Sequence, residues 1–68
     1  MYYNEAISLV KDGYIIQRPS WGKSYIYTNT YGEIKFMSIK LVCGQEISIS
    51  MNYYPSNSDI EADDWKEL

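Results

Sequence analysis

Two segments of the chain carry the residues best suited to binding or chemistry. The first is RPSWGK, residues 18–23, which holds the only arginine. Its Trp21 could stack on a base while Arg18 and nearby backbone amides meet a phosphate, an arrangement that suits a nucleotide. Ser20 belongs to the same candidate site. Spacing alone slightly favours a structural role, in which Trp21 fills the core and Arg18 packs along it or pairs with the acidic tail.

The second segment is the C-terminus, which holds most of the acidity. Residues 59–68 contain five acidic residues and one lysine, a net charge of −4, while residues 1–58 carry a net charge of +1. Asp59 either caps a helical turn or accepts hydrogen bonds from a ribose or base, and Asn57 is a weaker candidate for the same contact. Trp65 is predicted to anchor the core, since a buried indole fastens a terminal strand.

Several function classes are disfavoured by composition. The chain has no His and one Cys, Cys43, so the commonest general base and metal ligand is missing. It contains no nucleophile elbow and no glycine-rich phosphate loop. An enzyme is therefore not expected. If the chain were an enzyme, the best-supported site would be Mg²⁺ bound by the carboxylates of residues 59–64. Adjacent acidic residues near a chain end are more often a solvated face. No cofactor is predicted.

Charge and hydropathy also limit the partners and the location. One Arg and five scattered Lys do not provide the clustered cations that long nucleic acids need, so neither DNA nor RNA is an expected partner. No apolar run approaches membrane-spanning length, and the N-terminus lacks a signal-peptide pattern. The sequence predicts a cytoplasmic protein without membrane contact.

The elements that position these residues form one α+β domain over residues 1–68. A short amphipathic helix is predicted over Glu5–Asp12, capped by Asn4 and ended by Gly13. A small antiparallel sheet of four to five strands follows. Its strands are predicted at residues 14–18, 24–28, 33–41, 46–52 and 65–68.

Three features of this sheet matter later. The third strand carries apolar residues on both faces and is expected to be covered on both sides. Ile47, Ile49 and Met51 alternate with polar residues, which predicts one buried and one wet face on the fourth strand. A single helical turn through residues 59–62, capped by Ser58, precedes the last strand.

The size of the chain favours self-association. In a domain of 68 residues, hydrophobic burial and the conformational entropy of folding nearly cancel. Cys43 has no partner in its own chain, and a metal site without His is poor. Oligomerisation is the remaining source of stability, and eight Tyr and two Trp suit subunit interfaces or pockets for planar ligands.

Taken together, both ends of the chain resemble the Tad2-like family of phage proteins, the second Thoeris anti-defence family. The residues that carry this resemblance are a Glu5-Ala6 helix, the run Lys11-Asp12-Gly13, the motif Arg18-x-x-Trp21 and the C-terminal run PSNSDIEADDW, residues 55–65. Residues 24–52 show no motif of the family.

The resemblance implies a non-enzymatic sponge. Family members form homotetramers that hold a cyclic nucleotide signal of bacterial immunity away from its effector. The signal is glycocyclic ADP-ribose in Thoeris, and a cyclic dinucleotide such as cGAMP in CBASS. The motif match implies that Trp21 stacks on a base, that Arg18 faces phosphate, and that Asp59 and Asn57 reach base or ribose, in a pocket that another subunit could complete.

A second hypothesis comes from a different class of function. The chain could be a protein-binding inhibitor or a structural phage protein that docks on a host protein through its Tyr-rich face. Trp21 and Arg18 would then be interface anchors, as Trp, Tyr and Arg often are. Release of intact nucleotide from denatured protein would favour the sponge, and failure to bind any nucleotide would favour docking.

Overall fold

The computed structural model describes residues 1–68. The elements in chain order are helix α1 (Tyr3–Lys11), strand β1 (Ile16–Gln17), a 3₁₀ turn (Pro19–Trp21), strands β2 (Tyr25–Thr28), β3 (Ile34–Val42) and β4 (Gln45–Asn52), helix α2 (Asn57–Glu61) and strand β5 (Lys66–Glu67). The strands form one antiparallel sheet in the order β4-β3-β2-β1-β5. The predicted α+β class is confirmed.

Five apolar side chains form the buried core. They come from α1, from strands β1 and β2 and from the segment before β5: Ala6, Val10, Ile16, Ile26 and Trp65. Trp65 is only 2% exposed, which confirms its predicted role as an anchor. Since the residues that cover the sheet come from α1 and the C-terminal segment, the core lies under one half of the sheet.

Helix α1 begins two residues earlier than predicted. Asn4 is exposed and does not cap it; Tyr2 occupies the N-cap position and makes no side-chain capping bond. Contacts with the C-terminal segment hold this first turn instead, because the Tyr3 ring packs edge-on against Trp65 at 5.9 Å. At the other end Gly13 has a φ of +99°, the left-handed backbone predicted after the helix.

Helix α2 also begins earlier than predicted, and Ser58 is not its cap. The Ser56 hydroxyl accepts a hydrogen bond from the Asp59 amide at 3.2 Å, and the Asp59 carboxylate accepts one from the Ser56 amide at 3.3 Å. This reciprocal pair is a capping box, which needs a serine three residues before the acidic side chain. Only Ser56 has that spacing to Asp59.

The prediction of a buried face on β4 is wrong for the single chain. Every residue of β4 is exposed, including Ile47 at 42%, Ile49 at 55% and Met51 at 45%. Strand β3 is half-buried over Ile34–Ile39, except for the buried Ser38, and exposed beyond, rather than covered on both sides. The reason is geometric: β2 pairs with β3 only as far as Met37, so the rest of the β3–β4 hairpin extends past the covered half of the sheet.

Candidate functional site

An open pocket of about 390 Å³ lies where β4 runs into the segment before α2. Its volume is within the range of small-molecule sites. Four aromatic rings and a methionine give it an apolar wall, and three polar side chains complete it. The lining residues are Trp21, Phe36, Met51, Asn52, Tyr53, Tyr54, Ser56 and Asp59. Two of the predicted site residues, Trp21 and Asp59, therefore meet in one pocket although they are far apart in sequence.

The Trp21 ring is fixed by other aromatic side chains. It stands nearly perpendicular to Phe36 and to Trp65, each with ring centroids 5.1 Å away, and at 63° to Tyr53 at 6.2 Å. Edge-to-face contacts of this kind are favourable between aromatic side chains. Trp21 remains half-buried, so it packs against the core and also presents a surface to the pocket.

The turn that carries Trp21 is held by a buried glutamine. Gln17 is 4% exposed, and its Nε2 donates to the carbonyls of Gly22 at 2.9 Å and Ser24 at 3.1 Å. Gly22 has a φ of +64°, a backbone region that glycine adopts without strain. These contacts give the turn, and with it Trp21, a defined position. Nothing in the local sequence pattern distinguished Gln17 from the other strand residues.

Asp59 is the most connected side chain of the site. Its Oδ1 accepts a hydrogen bond from Arg18 Nη1 at 3.0 Å, and its Oδ2 accepts from the Tyr53 hydroxyl at 3.1 Å and from the Ser56 amide. The residue is 9% exposed, and such a buried carboxylate needs these partners. Of the two roles predicted for Asp59, capping is confirmed.

Arg18 lies beside the acidic segment and does not line the pocket. Besides Asp59, it contacts Asp64 through Nε at 3.0 Å, and its side chain is 16% exposed. The hydrogen bonds to Asp64 and then Asp59 raise the pKa of the guanidinium, which is charged at any ordinary pH. The Arg18 guanidinium is therefore paired with two carboxylates, as expected if Arg18 pairs with the acidic tail.

The structure does not bring Ser20 and Asn57 into the same pocket. Both are exposed, Ser20 in the 3₁₀ turn and Asn57 at the first position of α2. Neither lines the pocket, although their sequence neighbours Trp21 and Ser56 do. The remaining acidic residues do not form a metal site either: no group of three or more His, Cys, Asp or Glu side chains lies close enough together to hold a metal ion.

Tyr53 is the pocket residue of greatest interest that the sequence did not predict. Burial, followed by the negative charge of Asp59 and the hydrogen bond to it, raises the pKa of the Tyr53 phenol well above its ordinary value. Burial and the same carboxylate also raise the pKa of Tyr3. Tyr53 therefore stays neutral and serves as a donor to Asp59. The aromatic pair Tyr53-Tyr54 directly after an alternating strand was the only signal available in the sequence.

Comparison with known proteins decides the family. The family model of the Tad2-like domain, described as the Thoeris anti-defense 2-like domain, matches residues 1–68. The chain belongs to the Thoeris anti-defense 2-like family. The match includes residues 24–52, where the sequence showed no motif of the family. No curated protein and no solved structure gives a significant match.

Membership makes the chain a Thoeris anti-defence domain and confirms the resemblance seen in its two ends. The residues that carried the resemblance have different places in the structure. Trp21 and Asp59 line the pocket. Arg18 lies outside it and donates a hydrogen bond to Asp59, and Trp65 lies in the core. None of the helices is both long enough and apolar enough to cross a membrane.

Proposed function

We propose that this Thoeris anti-defence domain is a sponge, which binds a cyclic nucleotide immune signal without cleaving it and so prevents activation of the effector. The observation that carries the proposal is the pocket between Trp21, Tyr53 and Tyr54, found in a chain of this family. Aromatic side chains bind nucleobases by stacking, which contributes about 1–3 kcal/mol per base. The signal would be glycocyclic ADP-ribose of Thoeris or a cyclic dinucleotide such as cGAMP of CBASS.

Retention without turnover requires tight binding. Capture of a signal at nanomolar to micromolar concentration needs about −8 to −12 kcal/mol, more than one open pocket on a small domain commonly supplies. We therefore propose that the sponge acts as a homotetramer in the cytoplasm of the infected bacterium. Ser20 and Asn57 lie outside the lining of their own pocket, so they would contact ligand from a neighbouring subunit. The exposed apolar residues of β4 support self-association.

The direct experiment is release of bound ligand. The protein is incubated with a panel of cyclic nucleotides, separated from free ligand, and denatured by heat, and the released compound is analysed by chromatography and mass spectrometry. A sponge returns the intact nucleotide in stoichiometric amount. A cleaved product would indicate an enzyme, and no binding to any member of the panel would favour docking on a host protein.

Two tyrosines provide a matched pair of variants. Tyr54 is 81% exposed and lines the pocket, whereas Tyr31 is 87% exposed in the β2–β3 turn outside it. Tyr54→Ala should weaken nucleotide binding and Tyr31→Ala should leave it unchanged. Trp21→Ala should abolish binding while the oligomer persists. If Trp21→Ala unfolds the chain, the Tyr54 and Tyr31 pair still decides whether this pocket binds the ligand; equal affinities for both variants would contradict the assignment.

A further inference from the structure

The pocket just described offers no cation for a phosphate group. Asp59 is the only Asp, Glu, Lys or Arg residue in its lining. Arg18 does not line the pocket, and it binds Asp59 through Nη1 and Asp64 through Nε. A phosphate that entered this pocket would find a carboxylate and no cationic side chain in the lining. The pocket therefore suits the uncharged, hydrogen-bonding parts of a nucleotide better than its phosphates.

A second hollow shares Trp21 with this pocket, and most of its charged side chains are basic. It has a volume of about 220 Å³ and is lined by Trp21, Gly22, Lys23, Ile39, Lys40, Leu41 and Glu46. Its charged side chains are two lysines and one glutamate. Trp21 is the only residue that lines both. It therefore borders an acidic pocket, in which Asp59 is the one charged side chain, and a basic hollow, in which two lysines outnumber one glutamate.

The two lysines of this basic hollow differ in their partners. Lys23 Nζ lies 3.0 Å from Glu46 Oε2, with side chains 73% and 48% exposed, and an exposed pair of this kind contributes little stability. Lys40 takes part in none of the three ion pairs of the chain. Lys40 can therefore bind an anion without losing an ion pair. Lys23 can bind one by giving up its weak contact with Glu46.

We infer that the basic hollow of Lys23 and Lys40 is the phosphate subsite of the ligand, and that Trp21 lies between it and the base in the acidic pocket. The inference rests on the proposed function and deepens it, since it assigns phosphate recognition to these lysines and leaves Arg18 as a positioning residue for Asp59. The ligand class that fits is a nucleotide with at least one base and an adjacent phosphate that span the indole.

The test compares matched lysine variants in binding of cyclic dinucleotide to the full chain. Lys40→Gln should weaken binding roughly tenfold, the value of one hydrogen bond to a charged group, and the difference should shrink at high salt. Lys11→Gln removes the same charge from the end of α1, outside both hollows, and should bind as the unmodified protein does. Equal affinities of the Lys40 and Lys11 variants would overturn the inference.

A second measurement separates this inference from the proposed function. Pyrophosphate alone is titrated against the unmodified protein and against Lys40→Gln, with Trp fluorescence as the signal. Competition with cyclic dinucleotide in the unmodified protein, lost in the variant, supports the subsite. If the unmodified protein binds no cyclic nucleotide, the sponge proposal fails, whereas pyrophosphate binding that depends on Lys40 would still support an anion site. Pyrophosphate binding that is unaffected by Lys40→Gln overturns the assignment of the phosphate subsite.

Discussion

Replacement of Asp59 by alanine should destabilise the fold more than any other removal of a carboxylate. The change takes away the acceptor of Arg18, of the Tyr53 hydroxyl and of the Ser56 amide in a single step. These three partners come from the turn after β1, from the end of β4 and from the cap of α2. Asp59 therefore joins the C-terminal segment that follows β4 to Arg18, which is 41 residues away in sequence.

The magnitude follows from burial and from what remains after the change. The side chains of the Arg18–Asp59 pair are 16% and 12% exposed, and removal of one partner from a buried pair costs about 3–5 kcal/mol. Arg18 keeps Asp64, whose side chain is 44% exposed, so a loss near the lower end, about 3 kcal/mol, is expected. A domain of this length has a total stability of roughly 3–10 kcal/mol.

Urea unfolding followed by Trp fluorescence measures this loss, since Trp21 and Trp65 both lie close to the network. Asp63→Ala is the matched control, because the Asp63 side chain is exposed and makes no hydrogen bond or ion pair. Asp59→Asn separates charge from hydrogen bonding and should lie between the two. A loss below about 1 kcal/mol for Asp59→Ala, equal to that of a surface ion pair, would refute the reasoning.

Two further predictions concern pH and assembly. The pKa of Tyr53 is higher in the folded chain than in the unfolded chain, so the unfolded chain loses the phenol proton at a lower pH. The stabilisation that Tyr53 contributes should therefore be fully present below about pH 10 and be lost as the pH rises further. Tyr53→Phe should flatten that fall in alkaline urea titrations, and an unchanged slope would contradict it. Ile49→Asp, on the exposed apolar face of β4, should lower the mass in sedimentation while Ser48→Asp on the opposite face should not; equal masses would exclude β4 as the subunit interface.

The order of the elements was predictable because each has a strong local signal. Gly13, Gly32 and Gly44 follow a helix or a strand, and all three have the positive φ that turns require. The anchor role of Trp65 and the acidic surroundings of Arg18 also followed from residue type and charge. Local pattern and tertiary structure agree in these places.

The parts that the sequence did not predict depend on contacts between distant segments. The first turn of α1 is set by packing of Tyr3 on Trp65, and the cap of α2 by the carboxylate that also binds Arg18. The alternation in β4 correctly indicated a strand, but it does not specify whether the apolar face meets its own chain. Periodicity gives the faces of an element, whereas the number of covering elements decides which face is buried.

The overhang of the β3–β4 hairpin has a dynamic consequence. From Ser38 to Ile49 this part of the sheet is a two-stranded ribbon that pairs with no third strand. Two bonds tie it to the rest of the chain, from the Ile39 amide to the Ser24 hydroxyl and from Lys23 Nζ to the Glu46 carboxylate. A two-stranded ribbon without further cover is marginally stable in water, so its amides should exchange with solvent through local opening well before those of the core strands. Lys40 and Glu46 lie on this ribbon and Trp21 lies on the covered body. A molecule that contacts both would restrict the ribbon's motion, and slower amide exchange over residues 38–49 would report its binding.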